Sequence, residues 1–285
     1  MLIAQITDLH LGFDPDNLDE FNRQRFDSAL RVLTGLRPRP DLLLVTGDIA
    51  DDGNDAQSYL RYREGIAQLP FPVFSAMGNH DERETFLAAF PDHPHAGDGF
   101  IQYAIEDYDL RILVLDTLQI GRHGGAYCET RAAWLEARLD EDPERPTLIA
   151  LHHPPFDTGI PWLTEDPEAG WAVRLRNAIG PRTNIVGLIG GHVHRAITTT
   201  WAGKPLTVCP STAPQVALDL MPIDPEQPDE RPMIIADHPY YALHWWNGRN
   251  LVSHIDTAED HEVLARYTPA LQPLVRLVTD EQKRG

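Results

Sequence analysis

Five short polar islands carry the residues of this chain that could do chemistry, and each follows an apolar run that is typical of a strand. The islands are Asp8-Leu9-His10, Gly47-Asp48, Gly78-Asn79-His80-Asp81, His152-His153-Pro154 and Gly191-His192-Val193-His194. Imidazole nitrogens, carboxylates and an asparagine amide together can hold two divalent ions. Such a two-metal site favours phosphoester hydrolysis, because the pair of ions can clamp the attacking and leaving oxygens.

The position of the islands supports a shared site. Residues at the carboxyl ends of strands meet at one edge of a sheet, so we expect the five islands to converge there. Side chains alternate along extended backbone, which predicts that Asp8 and His10 point the same way, as do His192 and His194. Gly47 permits a positive-φ turn or a close approach of substrate to the backbone.

The elements that must position these islands alternate along the chain. Strands are predicted over 1–7, 41–46, 72–76, 101–105, 111–116, 147–151 and 185–189. Helices are predicted over 23–36, 56–69, 82–90, 130–139 and 171–178. This order predicts an α/β sandwich with mixed sheets. Strands at 241–246 and 251–255 flank Asn247-Gly248, which predicts a hairpin.

Two segments depart from the alternation. Residues 210–240 are rich in prolines and acids between Pro210 and Pro239, and they predict a long ordered loop. We expect it to be a lid over the active-site edge or an interface in a homo-oligomer, and a loop packed on its own domain is the alternative. Residues 258–285 form a charged tail, so the expected division is a domain at 1–257 and a tail at 258–285.

The net charge of the chain restricts the kinds of partner it can bind. It has 43 acidic and 24 basic residues, a formal charge of −19, which repels long nucleic acids and anionic membranes. Bound metal ions would reverse that field locally, so small anionic substrates are still admitted. The first apolar run ends at Asp8, too soon for a signal peptide, and Cys128 and Cys209 lie far apart. We therefore expect a cytoplasmic protein without membrane spans.

In their order and spacing the islands resemble the calcineurin-like metallophosphoesterase superfamily, whose pattern is D-x-H, G-D, G-N-H-[DE], H and G-H-x-H. Within it, the chain looks like the class III cyclic nucleotide phosphodiesterases and their glycerophosphodiesterase relatives. The resemblance runs from Met1 to about His194, and more loosely to Ile255. It implies a four-layer α/β/β/α sandwich with two mixed sheets.

The resemblance also implies two sets of metal ligands that share one bridging aspartate. The sets are Asp8, His10, Asp48 and His194 for the first ion, and Asp48, Asn79, His152 and His192 for the second. His80 would lie beside the substrate phosphate and act in catalysis with Asp48. The ions would be divalent or of mixed valence, and this ligand set suits Mn, Fe, Zn or Co.

One departure from related phosphatases bears on the substrate. Protein Ser/Thr phosphatases carry G-D-x-x-D-R-G, and here Asp52 stands in place of that arginine. An aspartate repels a dianionic monoester more than a monoanionic diester. We therefore expect hydrolysis of a small phosphodiester by a metal-activated hydroxide. The substrate would be a 3′,5′-cyclic nucleotide such as cAMP, or a glycerophosphodiester.

Three alternative functions remain, and the histidines outside the ligand sets have expected roles of their own. A phosphomonoesterase or a nuclease of the same superfamily is possible on the motifs alone, as is a non-catalytic metal-binding interaction module. The module is expected to lose ligands, whereas this chain keeps them all. We expect His153 to hydrogen-bond a loop, and His93, His95 and His123 to be solvated.

Overall fold

The computed structural model describes residues 1–283, in which strands and helices alternate over most of the length. The strands are β1 (Leu2–Ile6), β2 (Leu42–Val45), β3 (Val73–Ser75), β4 (Tyr103–Ile105), β5 (Arg111–Val114), β6 (Thr147–Ala150), β7 (Ile185–Gly190), β8 (Ile197–Trp201), β9 (Lys204–Val208), β10 (Gln215–Val216), β11 (Ile234–Ile235), β12 (Tyr240–Trp246) and β13 (Leu251–Thr257). The helices are α1 (Phe21–Gly35), α2 (Ala56–Ile66), α3 (Arg83–Ala89), α4 (Glu129–Glu141), α5 (Gly170–Ile179) and α6 (Gln272–Gln282).

The strands form two mixed sheets and one small hairpin. The first sheet has the order β13-β12-β1-β2-β3, with β1, β2 and β3 parallel and β12 and β13 antiparallel to their neighbours. The second has the order β4-β5-β6-β7-β9-β8, with a parallel centre from β5 to β9 and antiparallel edges. The expected α/β fold with two mixed sheets is confirmed.

Alternation along β5 explains the four layers. Ile112 and Val114 lie in a core that also takes in the first sheet and α1 to α3. Leu113 lies in a second core, between the second sheet and helices α4 and α5. Both faces of the second sheet are therefore buried, as expected for a parallel sheet. The layers run α1–α3, first sheet, second sheet, α4–α5.

Three segments differ from the sequence expectations. Residues 210–240 are not only loop, because β10 and β11 pair there as a short antiparallel hairpin, and two-residue strands leave no readable alternation. Strand β8 was not predicted, because its three threonines interrupt any apolar run. The tail contains α6, and residues 284–285 of the expected tail lie outside the described residues.

Across residues 1–283, every helix is too short or too polar to span a bilayer.

Candidate metal centre

All five polar islands lie together at one edge of the two sheets. They follow the carboxyl ends of β1, β2, β3, β6 and β7. Side-chain ligand atoms from these islands lie within 4.8 Å of one another in overlapping groups. The groups are Asp8, His10 and His194; Asp8, Asp48 and His152; His10, Asp48 and His80; and His152, His153 and His192.

The first expected ligand set forms a tight cluster of ring nitrogens and carboxylate oxygens. His194 Nε2 lies 3.5 Å from Asp8 Oδ1. His10 Nε2 lies 3.2 Å from His194 Nε2 and 3.7 Å from Asp48 Oδ2. Two imidazole nitrogens that face each other and two carboxylates are a donor set that suits a divalent ion.

The second expected set surrounds the same aspartate oxygen. His152 Nε2 lies 3.3 Å from Asp48 Oδ2 and 3.2 Å from the amide oxygen of Asn79. The ring of His192 lies 5.2 Å from that of His152. Asp48 Oδ2 therefore lies between the histidines of both sets.

Hydrogen bonds orient the imidazoles. In three of the rings, Nδ1 is hydrogen-bonded to a carbonyl or carboxylate oxygen, so the Nε2 lone pair faces the cluster. This is the usual arrangement for metal-binding histidines. The pairs are His10 Nδ1 with Asp51 Oδ1 at 3.1 Å, His152 Nδ1 with the Thr46 carbonyl at 2.7 Å, and His194 Nδ1 with the Pro214 carbonyl at 2.8 Å.

His192 is the exception, and it tests whether metal ions fit. Its Nδ1 is buried without a hydrogen-bond partner among the described residues. A buried nitrogen with no partner is costly, whereas a metal ion would satisfy it. His153 Nε2 is in the same condition, and its ligand atom lies in one group with those of His152 and His192. The donor set and these two nitrogens fit metal binding.

His152 and Asp48 shift each other's pKa. Burial opposes the charged form of His152, yet the carboxylates of Asp48 and Asp8 and the hydrogen bonds to the ring together raise the pKa of His152 to about 9. Burial likewise disfavours the charged Asp48, but His152 beside it holds the pKa of Asp48 well below its usual range. Without metal the two form an ion pair, so a bound metal must displace the proton of His152.

The backbone at the ligands is not extended, so the strand alternation expected there was wrong, although Asp8 and His10 do face the same cluster. Asp8, His10, Asp48, His192 and His194 all have positive φ, between 45° and 73°. Each strand ends before its island, and left-handed residues turn the side chains inward. Such conformations cost about 1 kcal/mol or more per residue, and they concentrate at functional sites.

Glycines at two islands allow backbones to approach the ligands. A Cβ atom on Gly78 would lie 2.7 Å from Cγ of Asp48, and one on Gly191 would lie 2.9 Å from Oδ2 of Asp8. Both distances are shorter than carbon and oxygen contacts allow. Larger residues at these positions would displace the two carboxylates.

Asp81 ties two of the islands together. It accepts hydrogen bonds from the backbone N–H groups of Ile49, Ala50 and Gly78 and from the Tyr59 hydroxyl, at 2.9 to 3.2 Å. Burial, with the charge of Asp48, raises the pKa of Asp81 to about 6. This carboxylate fixes the turn that carries Asp48 against the turn that carries the third island.

His80 lies at the rim of the first ligand set. Its backbone N–H donates to Asp48 Oδ1 at 2.8 Å, and its Nδ1 donates to the Asp51 carbonyl at 2.8 Å. Its ring lies 4.5 Å from that of His10. Geometry alone admits His80 either as a ligand or as a group that faces the substrate, so its assignment beside the phosphate stays a prediction.

Loop histidines near the site separate into two cases. His153 accepts or donates a hydrogen bond with Thr117 Oγ1 at 2.8 Å, in line with the loop role expected for it. His123 is exposed, as expected, yet its Nδ1 lies 3.2 Å from the amide nitrogen of Asn79. The sequence analysis missed this neighbour of the site, because its loop carries no metal-binding spacing.

Comparisons with known proteins agree with this geometry. The calcineurin-like phosphoesterase family matches residues 1–196. A probable glycerophosphodiester phosphodiesterase, GpdQ, of Arcobacter nitrofigilis is 30% identical over 250 residues, which cover 86% of this chain and 89% of that protein. The 3′,5′-cyclic adenosine monophosphate phosphodiesterase CpdA of Escherichia coli K12 is 33% identical over 216 residues, 75% of this chain and 76% of that protein. A dimetal phosphatase from Danio rerio shares the fold, with 14% identity, a TM-score of 0.66, and coverage of 91% of this chain and 97% of that chain.

Proposed function

The chain belongs to the calcineurin-like phosphoesterase family, and from that premise we propose that it is a binuclear metal-dependent phosphodiesterase acting on a small phosphodiester. The substrate class covers 3′,5′-cyclic nucleotides and glycerophosphodiesters, which are the substrates named for its relatives CpdA and GpdQ. The observation that most directly supports this proposal is the position of Asp48 Oδ2. This oxygen lies 3.7 Å from His10 Nε2 and 3.3 Å from His152 Nε2. One carboxylate oxygen between two histidine sets supports two ions side by side.

The ligands proposed for these ions are the residues of the two sets. They are Asp8, His10, Asp48 and His194 for one ion, and Asp48, Asn79, His152 and His192 for the other. Bound metal ions would supply Lewis acidity and an activated water. Mn, Fe, Zn and Co suit this mixture of imidazole and carboxylate.

His80 is the protein group we assign to the reacting phosphate. Its Nδ1–H is held by the Asp51 carbonyl, so Nε2 is the free atom of the ring. When the ring is an imidazolium, with both nitrogens protonated, Nε2 can donate to a phosphoryl oxygen or to the departing alcohol, where negative charge develops. Asp48 orients it, because Oδ1 of that carboxylate accepts the His80 backbone N–H.

A diester is favoured over a monoester by charge. Asp52 lines the same surface cavity as Asn79 and His80. A carboxylate near that entrance disfavours a dianion more than a monoanion. A phosphomonoesterase is the second candidate, supported only by the fold shared with the dimetal phosphatase. The charge of −19 disfavours a nuclease, and the full ligand set disfavours a non-catalytic module.

We propose a homo-oligomer that uses residues 210–240. Leu218, Leu220 and Met221 in this segment are 63%, 60% and 66% exposed. Neighbouring apolar groups of this exposure are typical of protein interfaces. Replacing Leu218 and Leu220 by Asp should lower the mass measured by light scattering, with Glu226→Gln on the same segment as the control. An unchanged mass would exclude this interface.

The domain division and the compartment are proposed on simpler grounds. Residues 1–257 would form the catalytic domain, since β13 ends at Thr257, with 258–285 as an appendage. Cys128 and Cys209 are unpaired, which suits the reducing cytoplasm. Cell fractionation with an antibody against the chain tests the compartment.

A hydrolysis panel tests the activity. The protein loaded with Mn²⁺ should be assayed with bis(p-nitrophenyl) phosphate, p-nitrophenyl phosphate, 3′,5′- and 2′,3′-cyclic AMP, and glycerophosphoethanolamine. The proposal requires that diesters are hydrolysed and that removing the metal with a chelator abolishes turnover. A protein active only on the monoester would support the second candidate instead.

A further inference from the structure

A small cavity lies beside the second ligand set. His192 lines it on the metal side, and the loops at 123–125 and 157–165 close the other sides. Its volume is about 100 Å³. The cavity therefore adjoins the place where a substrate phosphate at the metal centre would bind.

The loop at 157–164 is braced by its own hydrogen bonds. Thr164 Oγ1 donates to Asp157 Oδ1 at 2.7 Å and accepts the Thr158 N–H at 2.8 Å. Thr158 Oγ1 donates to the Leu163 carbonyl at 2.8 Å, and Leu163 is buried. Both threonine hydroxyls already serve the loop, so they hold the shape of the cavity and do not select its occupant.

Two side chains of the cavity keep binding capacity. Glu165 Oε2 accepts the Gly125 N–H at 3.2 Å, while Oε1 has no hydrogen bond within residues 1–283. A Cβ atom on Gly124 would lie 2.9 Å from that Oε2, so the double glycine makes room for the carboxylate. Trp162 is half-buried. Its indole offers a flat apolar face and one N–H donor.

We propose that this cavity is the subsite for the alcohol released from the diester, and that Glu165 and Trp162 select a small alcohol bearing a hydroxyl or ammonium group. The inference rests on the proposed function. In the reaction, the oxygen of water forms a bond to phosphorus, the bond from phosphorus to the alcohol oxygen breaks, and that oxygen takes a proton and leaves as the alcohol.

Size and charge both support this class of alcohol. An apolar cavity of about 150 Å³ takes one benzene molecule, and this cavity is smaller. A purine base is larger than benzene, whereas glycerol or ethanolamine has a thin, flexible chain. The carboxylate of Glu165 accepts O–H and N–H groups, and the indole face of Trp162 attracts an ammonium. Glycerophosphodiesters are therefore favoured over cyclic nucleotides.

The test compares variants of the metal-loaded full chain on three diesters: glycerophosphoethanolamine, 3′,5′-cyclic AMP and bis(p-nitrophenyl) phosphate. Glu165→Gln should lower kcat/KM for glycerophosphoethanolamine about tenfold, because the amide oxygen still accepts a hydrogen bond but the charge that strengthens it is removed. The other two diesters should change by no more than about twofold. Trp162→Ala enlarges the cavity and should raise the ratio of cyclic AMP to glycerophosphoethanolamine turnover about tenfold.

The control is Asp166→Asn, which removes the neighbouring exposed carboxylate outside the cavity. All three diesters should respond to it alike. Metal content is measured in every variant, so a loss of ions is separated from a loss of selection. A wild-type preference for cyclic AMP, or equal effects of Glu165→Gln on all three diesters, overturns the subsite and leaves the phosphodiesterase intact. Failure of the wild-type protein on every diester overturns the proposed function itself, and the subsite with it.

Discussion

Replacing Gly78 by alanine should disable the metal centre without removing any ligand. The new Cβ atom would lie 2.7 Å from Asp48 Cγ, and closer still to its Oδ1 and backbone nitrogen. Carbon atoms pack at about 3.5 Å or more, so the carboxylate must retreat by about 1 Å. A misplacement of about 1 Å at a reacting site costs on the order of 100-fold in rate. Strain in the overpacked turn should also lower the free energy of unfolding by about 1 to 3 kcal/mol.

The assay measures kcat/KM on bis(p-nitrophenyl) phosphate, metal content, and unfolding by urea. Gly170→Ala is the matched control, because Gly170 begins α5 and a Cβ atom there meets nothing within 4 Å. We expect the control to match the wild-type protein in all three measurements. A Gly78→Ala protein with wild-type kcat/KM and full metal content would refute the bridging position of Asp48.

Three further predictions address catalysis, substrate charge and pH. His80→Ala should lower turnover but leave the metal content unchanged, and loss of an ion in that variant would make His80 a ligand. Diesters should exceed p-nitrophenyl phosphate in kcat/KM, and Asp52→Asn should narrow that gap; a clear monoester preference would contradict the charge argument. Burial lowers the pKa of His244 from its ordinary value of 6.5 to about 4. Between pH 6.5 and pH 4, His244 is therefore protonated in the unfolded chain but neutral in the folded chain. Stability should therefore fall by up to about 3 kcal/mol as the pH drops from 6.5 to 4, and His244→Gln, measured by urea unfolding across that range, should flatten the decline.

Residue type and spacing were enough to predict the cluster, because each island follows a short apolar run that indicates a strand. Val45 and its neighbours, for example, form such a run directly before Asp48. The carboxyl ends of those strands lie at one edge, so the sequence order of the islands becomes a spatial cluster. The metal roles of the individual residues stay predictions.

The path of the backbone at the ligands was not predictable by the same reasoning. His192 and His194 have the two-residue spacing of an extended strand, yet both are left-handed. This conformation is held by tertiary contacts, such as the hydrogen bond from the His192 N–H to Asp8. Local spacing contains no information about a partner 184 residues away.

The cavity beside the second ligand set was missed for a similar reason. Glu165 meets Gly125 across 40 residues, and both lie in loops without a periodic pattern. Leu218 and Leu220 illustrate the opposite case, since their apolar character was evident but their exposure depends on the folded surface. Loops that select a substrate are determined by long-range packing and not by local propensity.

Metal stoichiometry, measured together with activity, tests the central claim most directly. Purified protein should be titrated with Mn²⁺ while bound metal is counted by elemental analysis and diester hydrolysis is followed. We expect two ions per chain at full activity, and we expect Asp48→Asn to lose both the second ion and the hydrolysis, because its Oδ2 is shared by the two histidine sets. Full diesterase activity with no more than one ion per chain would contradict the binuclear site.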